Sequence, residues 1–596
     1  MESLHMIAMS SFILFTLLVA WISYKATKQE NLKQSTGYFL AGRSLPWFVV
    51  AGSLFLTNIS AEQLTGLNGN AFANGASVMA WETVAAVTMI VLAVVFLPRF
   101  LKGGVATVPQ FLEARYGKRM RSVASFIFIY AIVIGFLPFV LYAGAITLGK
   151  LFGVAEVLGV SETAATWLMV IGLGIVGGIY AVFGGLKAVA VSDTVNGVGL
   201  LLGGFLVPIL ALYQLGDSSV AEGFNILISE SPERMAAAGV GDSAAIPWHT
   251  LFSGILLINL FYWCTNQAIV QRSLGAKNLA EGQKGVLAAA AMKVLGVAML
   301  VLPGIIAWHM HHKGLITVPT RGFTEAGEAI LAKDMAYPTL VREVMPTWMT
   351  GFFGAVLFGA VMSSFNSGVN SLSTLVSLDI YKEIINPKAD DIKVVRVGKL
   401  FGAVTIAICV CIAPFIAHAD GLYTLMRTIM AVINVPILTV ILVGIVSKRT
   451  PALAAFIALP VGMVTFYMTH FVLKGDFGLF QIHWLHIVGL NFLWMVGIMM
   501  VVRYFKPMAK PYEQFYTNQV EVQPWKYAAH ASWGIIGLLA LLYTVFSEIG
   551  ILGQQGSAVK VIAVLAIIAV CCFGLNYMIT RRQLIKPSST GVAREA

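Results

Sequence analysis

Thr57-Asn58-Ile59-Ser60-Ala61-Glu62-Gln63 gathers hydroxyls, amides and a carboxylate inside an otherwise apolar stretch running from Pro46 to Leu67. Such groups, with backbone carbonyls freed where a helix breaks, suit two tasks: coordinating a hard cation and hydrogen-bonding a polar solute. Hydrocarbon satisfies neither, so polarity at membrane depth survives only where it is packed in protein or lines a water-filled cavity. Asn259-Leu-Phe-Tyr262-Trp263-Cys-Thr265-Asn266-Gln267 interrupts a second apolar stretch in the same way. Two interrupted helices, several spans apart, mark a transporter built from inverted repeats.

Few charges lie within apolar stretches: besides Glu62 they are Glu82, Asp193, Lys293 and Arg427. Each costs about 2.5–3.5 kcal/mol at a helix centre and so calls for an interior partner. Plainer readings stand beside the functional ones. Glu82 and Lys293 could form a purely structural pair, Asp193 could cap its helix near Lys187, and Arg427 could snorkel to an interface. Ser363 and Ser364 follow Gly359-Ala360, where small residues equally suit close helix packing. With freed carbonyls, however, the two hydroxyls make an all-oxygen environment suited to Na⁺. Tyr262, Trp263 and Trp81 are ordinary candidates for core or interfacial aromatics.

The elements that must hold these groups follow from composition. With 58% hydrophobic and only 11% charged residues in 596, the chain is an all-α polytopic membrane protein. Apolar spans centre on 4–24, 46–68, 76–98, 119–150, 163–185, 187–215, 248–270, 284–310, 349–380, 396–418, 421–446, 451–472, 483–503, 530–547 and 558–579, about fifteen helices. The first opens with Glu2 and lacks a small-residue cleavage site, so it reads as a retained anchor. Lys and Arg concentrate in alternate loops, as in Arg99 to Arg121 and Lys382 to Arg396, whereas 69–75, 417–420 and 548–557 have none. The basic loops are expected to be cytoplasmic, with the N-terminus outside and the C-terminus inside, in a plasma membrane.

That asymmetry accounts for the net charge of +11 without a nucleic-acid partner. Cys264, Cys409, Cys411, Cys571 and Cys572 all fall in apolar spans and imply no disulfide framework. Gly172-Leu-Gly174-Ile-Val-Gly177 matches a dinucleotide fingerprint but has no preceding strand, and Asn58-Ile59-Ser60 matches a glycosylation acceptor inside a span. Both matches are accidental. No nucleophile–base set or metal-ligand cluster occurs among the polar residues of the spans, so an enzyme is not expected. A membrane sensor would carry an appended signalling domain, and only a short tail follows Arg581.

The ordered motifs Gly37-Tyr-Phe-Leu-Ala-Gly-Arg-Ser-Leu-Pro-Trp47, Asn58 to Gln63, Gly184-Gly-Leu186, Trp263-Cys-Thr-Asn-Gln267, Ala280-Glu-Gly-Gln-Lys-Gly285 and Asp379-Ile-Tyr-Lys-Glu383 resemble the solute:sodium symporter family. The resemblance covers nearly the whole chain and is nearest to bacterial sodium/galactose and sodium/glucose members. It implies a five-plus-five inverted-repeat core with broken first helices. The parts would be a peripheral helix and loop over 1–45, a first repeat over 46–215, an extracytoplasmic loop over 216–247, a second repeat over 248–446, peripheral helices over 447–580 and a tail over 581–596.

The resemblance also assigns roles. Sodium would be held by the carbonyls of Leu56, Ile59 and Ala360 and the hydroxyls of Ser363 and Ser364, with Asp193 on its release path. Thr57 and Ser60 leave a second sodium site open. Gln63, Glu82, Asn259 and Lys293 match residues that hydrogen-bond a sugar, and amide, carboxylate and ammonium together meet a polyol's needs. Tyr262 matches an inner-gate aromatic supported by Asn58; Leu67, Trp81 and Tyr423 match outer-gate positions. Two departures stand out: Ala85 replaces a serine of the galactose pattern, and Arg427 replaces a glutamine. A guanidinium offers a bidentate seat for a carboxylate or sulfonate, so an acidic sugar, or another small carboxylate, amino acid or nucleobase, stands as the alternative solute.

Overall fold

A backbone surrounded by hydrocarbon must satisfy its N–H and C=O groups within its own segment, and helices do this one turn at a time. The computed structural model describes residues 2–239, 245–323, 329–418, 422–476 and 482–547, with a few further positions up to 569. Among these the regular structure is helical apart from one small hairpin, Thr320–Phe323 paired with Ala329–Leu331. Twelve helices are long and apolar enough to cross a membrane, and the bent pair Trp248–Cys264 with Gln267–Leu274 makes a thirteenth span. Trp47–Asn58 is a shorter apolar helix, followed after a break by Ala61–Asn74. The expected fifteenth, over 558–579, falls almost wholly outside the described residues.

Boundaries differ where polar helices extend apolar ones. The segment 69–75, expected to be a loop, is mostly the last turns of Ala61–Asn74, because hydropathy falls before the helix ends. The loop over 216–247 contains Val220–Glu230, started by the Ser219 hydroxyl accepting from Glu222 N at 3.2 Å.

Gly185 separates two spans that otherwise read as one helix, Glu162–Leu215. Its φ of +64° with ψ of −179° suits glycine alone, and a Cβ would lie 3.1 Å from Tyr38 O. The second of those spans, Gly184–Leu215, packs on Thr347–Thr374, while Trp47–Asn58 packs on Leu279–Leu300. These four elements carry Thr57, Asn58, Asp193, Lys293, Ser363 and Ser364. Near Pro303 the helix bearing Lys293 kinks at Val301, and Asn68 bridges the gap: its Nδ2 donates to Met299 O at 3.2 Å and its Oδ1 accepts from Gly304 N at 2.9 Å. A buried amide thereby fixes the first broken helix against the helix carrying Lys293.

At the end bearing the Lys- and Arg-rich loops, Arg121 grips Asp379 at 2.7 Å, Glu113 at 2.7 Å and Glu383 at 3.1 Å. The motif Asp379 to Glu383 thus ties the C-terminal end of the helix that begins at Thr347 to Lys118–Tyr130.

Candidate functional site

Both expected helix breaks occur where polar residues interrupt the apolar runs. Trp47–Asn58 stops at Ile59, whose ψ of 74° is not helical, and the helix resumes at Ala61. Gly254–Cys264 stops at Thr265 and resumes at Gln267, with Asn266 capping the new turn through Ala268 N at 3.0 Å. The last carbonyls before each break lose their intrahelical donors. At the first break a facing helix makes up the loss: Ser364 Oγ donates to Thr57 O at 2.8 Å.

Around that contact the structure assembles an oxygen cluster. Ser363 Oγ lies 3.3 Å and Ser367 Oγ 3.4 Å from Thr57 Oγ1, which is 3.4 Å from Asp193 Oδ2. Ser53 Oγ donates to the same carboxylate at 2.6 Å. Ser53, Thr57, Asp193, Ser363 and Ser364 are all buried, as are Leu56, Ile59 and Ala360, whose carbonyls were expected to face sodium. Asp193 does not cap its helix; it binds side chains of the first broken helix and lies 3.9 Å from Arg272 Nε. The donor set is all oxygen, as a hard monovalent cation requires, and its one carboxylate is partly countered by Arg272, whose guanidinium also donates to Ser367 Oγ. Ser53 and Ser367 escaped the sequence reading, yet they stand one helical turn from Thr57 and Ser363, a spacing that would have flagged them.

One turn beyond the break a second cluster forms. Gln63 Nε2 donates to Glu82 Oε1, and the Lys293 ammonium bridges Glu82 Oε2 and Asn58 Oδ1. All four side chains are buried, and the ammonium sits 5.9 Å from the Trp263 ring centre. Asn58, expected to support Tyr262, accepts from Lys293. Asn259 is buried, and its Nδ2 donates to Ile255 O of its own helix at 3.0 Å. A cavity of about 40 Å³ is lined by Gln63, Tyr262, Asn266, Arg427 and Asn434, among others. It has room for a few waters and not for a pyranose, and Asn434 Oδ1 in its wall has no hydrogen-bond partner among the described residues.

Aromatics close the two sides. Trp81 stacks on Trp484 with ring centres 6.4 Å apart, and the Arg427 guanidinium lies 5.4 Å from Trp81 and 5.2 Å from Tyr262. Arg427 therefore wedges between two rings at 8% exposure instead of snorkelling outward. Leu67 is fully buried on the same broken helix. The side chains of Glu62 and Tyr423 lie outside the described residues. Trp484 was not anticipated, since nothing in its own apolar span singles it out.

The model of the sodium:solute symporter family matches residues 38–462. The chain is 45% identical over 527 residues to a protein of Escherichia coli (strain K12) described as the uncharacterized symporter YidK, covering 88% of each chain. It is 31% identical over 480 residues to the sodium/glucose cotransporter of Vibrio parahaemolyticus, covering 76% of this chain and 83% of that one. The sodium/myo-inositol cotransporter 2 of Mus musculus is 29% identical over 480 residues, covering 78% and 69% respectively. Among solved structures, a Na⁺-coupled sialic acid symporter in a substrate-bound outward-open state superposes with a TM-score of 0.69 at 18% identity, covering 85% of this chain and 99% of the other. That likeness carries the five-plus-five inverted-repeat fold.

Proposed function

The chain belongs to the sodium:solute symporter family, and from that premise we propose that it imports a sugar or sugar-like solute of the galactose or glucose kind. The family is one of transporters, so the chain is not an enzyme; Na⁺ and a small solute are its ligands. The observation that carries the sugar reading is the buried set Gln63, Glu82, Lys293 and Asn58, in which donors and acceptors alternate within hydrogen-bonding reach. A polyol can replace each mutual contact by one of its own, exchanging hydrogen bonds without stranding a charge. The names of the glucose and myo-inositol relatives agree with a polyol.

In this reading the protein spans a bacterial plasma membrane, with the Lys- and Arg-rich loops in the cytoplasm, the N-terminus outside and the C-terminus inside. Sodium displaces the Ser364 hydroxyl from Thr57 O and is held by Ser363, Ser364 and the carbonyls of Leu56, Ile59 and Ala360. It thereby ties the first broken helix to Thr347–Thr374 and favours the outward-open form. Solute enters past Leu67, Trp81 and Tyr423, and opens the contracted cluster to bind Gln63, Glu82, Asn259 and Lys293. Sodium then leaves past Asp193, and Tyr262 swings aside. Each charge carried inward through about 100 mV contributes roughly 2.3 kcal/mol to uptake.

Uptake of labelled galactose and glucose into proteoliposomes tests the reading. Replacing external Na⁺ by choline should abolish accumulation of a transported sugar; accumulation that persists in choline would refute sodium coupling of sugar.

A further inference from the structure

On the face opposite the basic loops, a second cavity of about 240 Å³ opens beside the Trp81–Trp484 pair. Its wall combines Lys333 and Arg427 with the amides of Asn70 and Asn74, and among the described residues none that lines it is Asp or Glu. His483 also lines it, its Nδ1 accepting from Leu485 N at 3.3 Å. The chamber thus holds two fixed positive charges and two amides against stacked indoles.

The position of Lys333 is built. The loop carrying it presses its backbone onto the first broken helix at Gly69, where a Cβ would come within 2.7 Å of Lys333 O. Only glycine lets the loop seat there, and that seat brings the ammonium over the mouth of the solute path. Lys333 is half-buried, and no described residue forms an ion pair with its side chain. Arg427 lines both this chamber and the inner cavity beside Gln63 and Tyr262. An anion held by Arg427 can therefore move from one cavity to the other while exchanging Lys333 for the inner amides.

We propose that this chamber is a docking subsite for an acidic sugar, whose carboxylate or sulfonate is held between Lys333 and Arg427 while its ring lies against Trp81 and Trp484. The inference rests on the sugar-symport reading and narrows its substrate class. Indole faces suit the apolar side of a pyranose, the amides suit its hydroxyls, and the guanidinium gives the acid a bidentate partner. Neutral sugars meet the same rings and amides without the charge contribution.

The test uses the full-length protein in proteoliposomes with saturating Na⁺ and two probes, galacturonate and galactose. Galacturonate should be taken up with the lower KM. Lys333→Gln should raise that KM about threefold more than it raises the KM for galactose, as expected for a partly exposed ion pair, and Lys333→Arg should restore it. Added choline chloride should narrow the gap between the probes in the unaltered protein, because the subsite is partly open to solvent. The proposal is overturned if galacturonate is neither transported nor competes with galactose while galactose uptake remains sodium-dependent. Equal effects of Lys333→Gln on the two probes overturn it as well. If neither probe shows sodium-dependent uptake, the underlying sugar reading falls and takes this one with it.

Discussion

At the scale of single residues, the two clusters beside the first helix break respond differently to substitution. Ser364 bonds the Thr57 carbonyl directly, so Ser364→Ala removes one oxygen from the sodium set without adding bulk. Loss of one charge-assisted contact should raise the sodium concentration for half-maximal uptake about tenfold, measured by uptake against external Na⁺; an unchanged requirement would remove Ser364 from the site. Glu82 and Lys293 form a buried pair, and Glu82→Ala, by stranding an ammonium, should destabilise the protein by about 3–5 kcal/mol in a denaturation assay. Replacing both with leucine should recover most of that stability while uptake stays lost. Retained uptake in the double variant would make the pair purely structural. Much at this scale was legible in the sequence, because a charge or a run of amides inside an apolar span has few acceptable places to go. The partners were less legible: Asn58 meets Lys293 across 235 positions, a pairing that only tertiary packing decides.

At the scale of elements, the breaks in the two interrupted helices were readable because polar residues cluster where the ladder stops. The Gly184-Gly185-Leu186 turn was readable as well. Its φ of +64° at Gly185 makes a specific demand: Gly185→Ala should cost about 1–3 kcal/mol and lower the thermal unfolding temperature, with sodium affinity little altered since the turn makes no contact with the oxygen cluster. An unchanged unfolding temperature would mean that the backbone relaxes there. Hidden from sequence were the elements outside the spans. Val220–Glu230, Ala336–Val344 and the hairpin at Thr320–Phe323 lack a membrane-length hydropathy signal, yet the loop after that hairpin is what sets Lys333 over the solute path. Trp484 likewise gains meaning only from its stack on Trp81, two elements far apart in the chain.

At the scale of the whole molecule, the structure is contracted around its site. The inner cavity of about 40 Å³ is lined by Tyr262 and Arg427 among others, and at the basic face Arg121 binds Asp379, Glu113 and Glu383 across two spans. Binding a sugar must therefore move helices, and sodium supplies a reason for them to move by joining the first broken helix to Thr347–Thr374. Coupling of this sort links the two ligands reciprocally: each should tighten the binding of the other. The most direct test is electrical. Full-length protein in proteoliposomes adsorbed to a solid-supported membrane is exposed to a jump in sugar concentration, with Na⁺ or choline on both sides. The account predicts a transient inward positive current in Na⁺ and none in choline, for a sugar that is also accumulated. A sugar that is accumulated without current, or that drives equal currents in Na⁺ and choline, would contradict it.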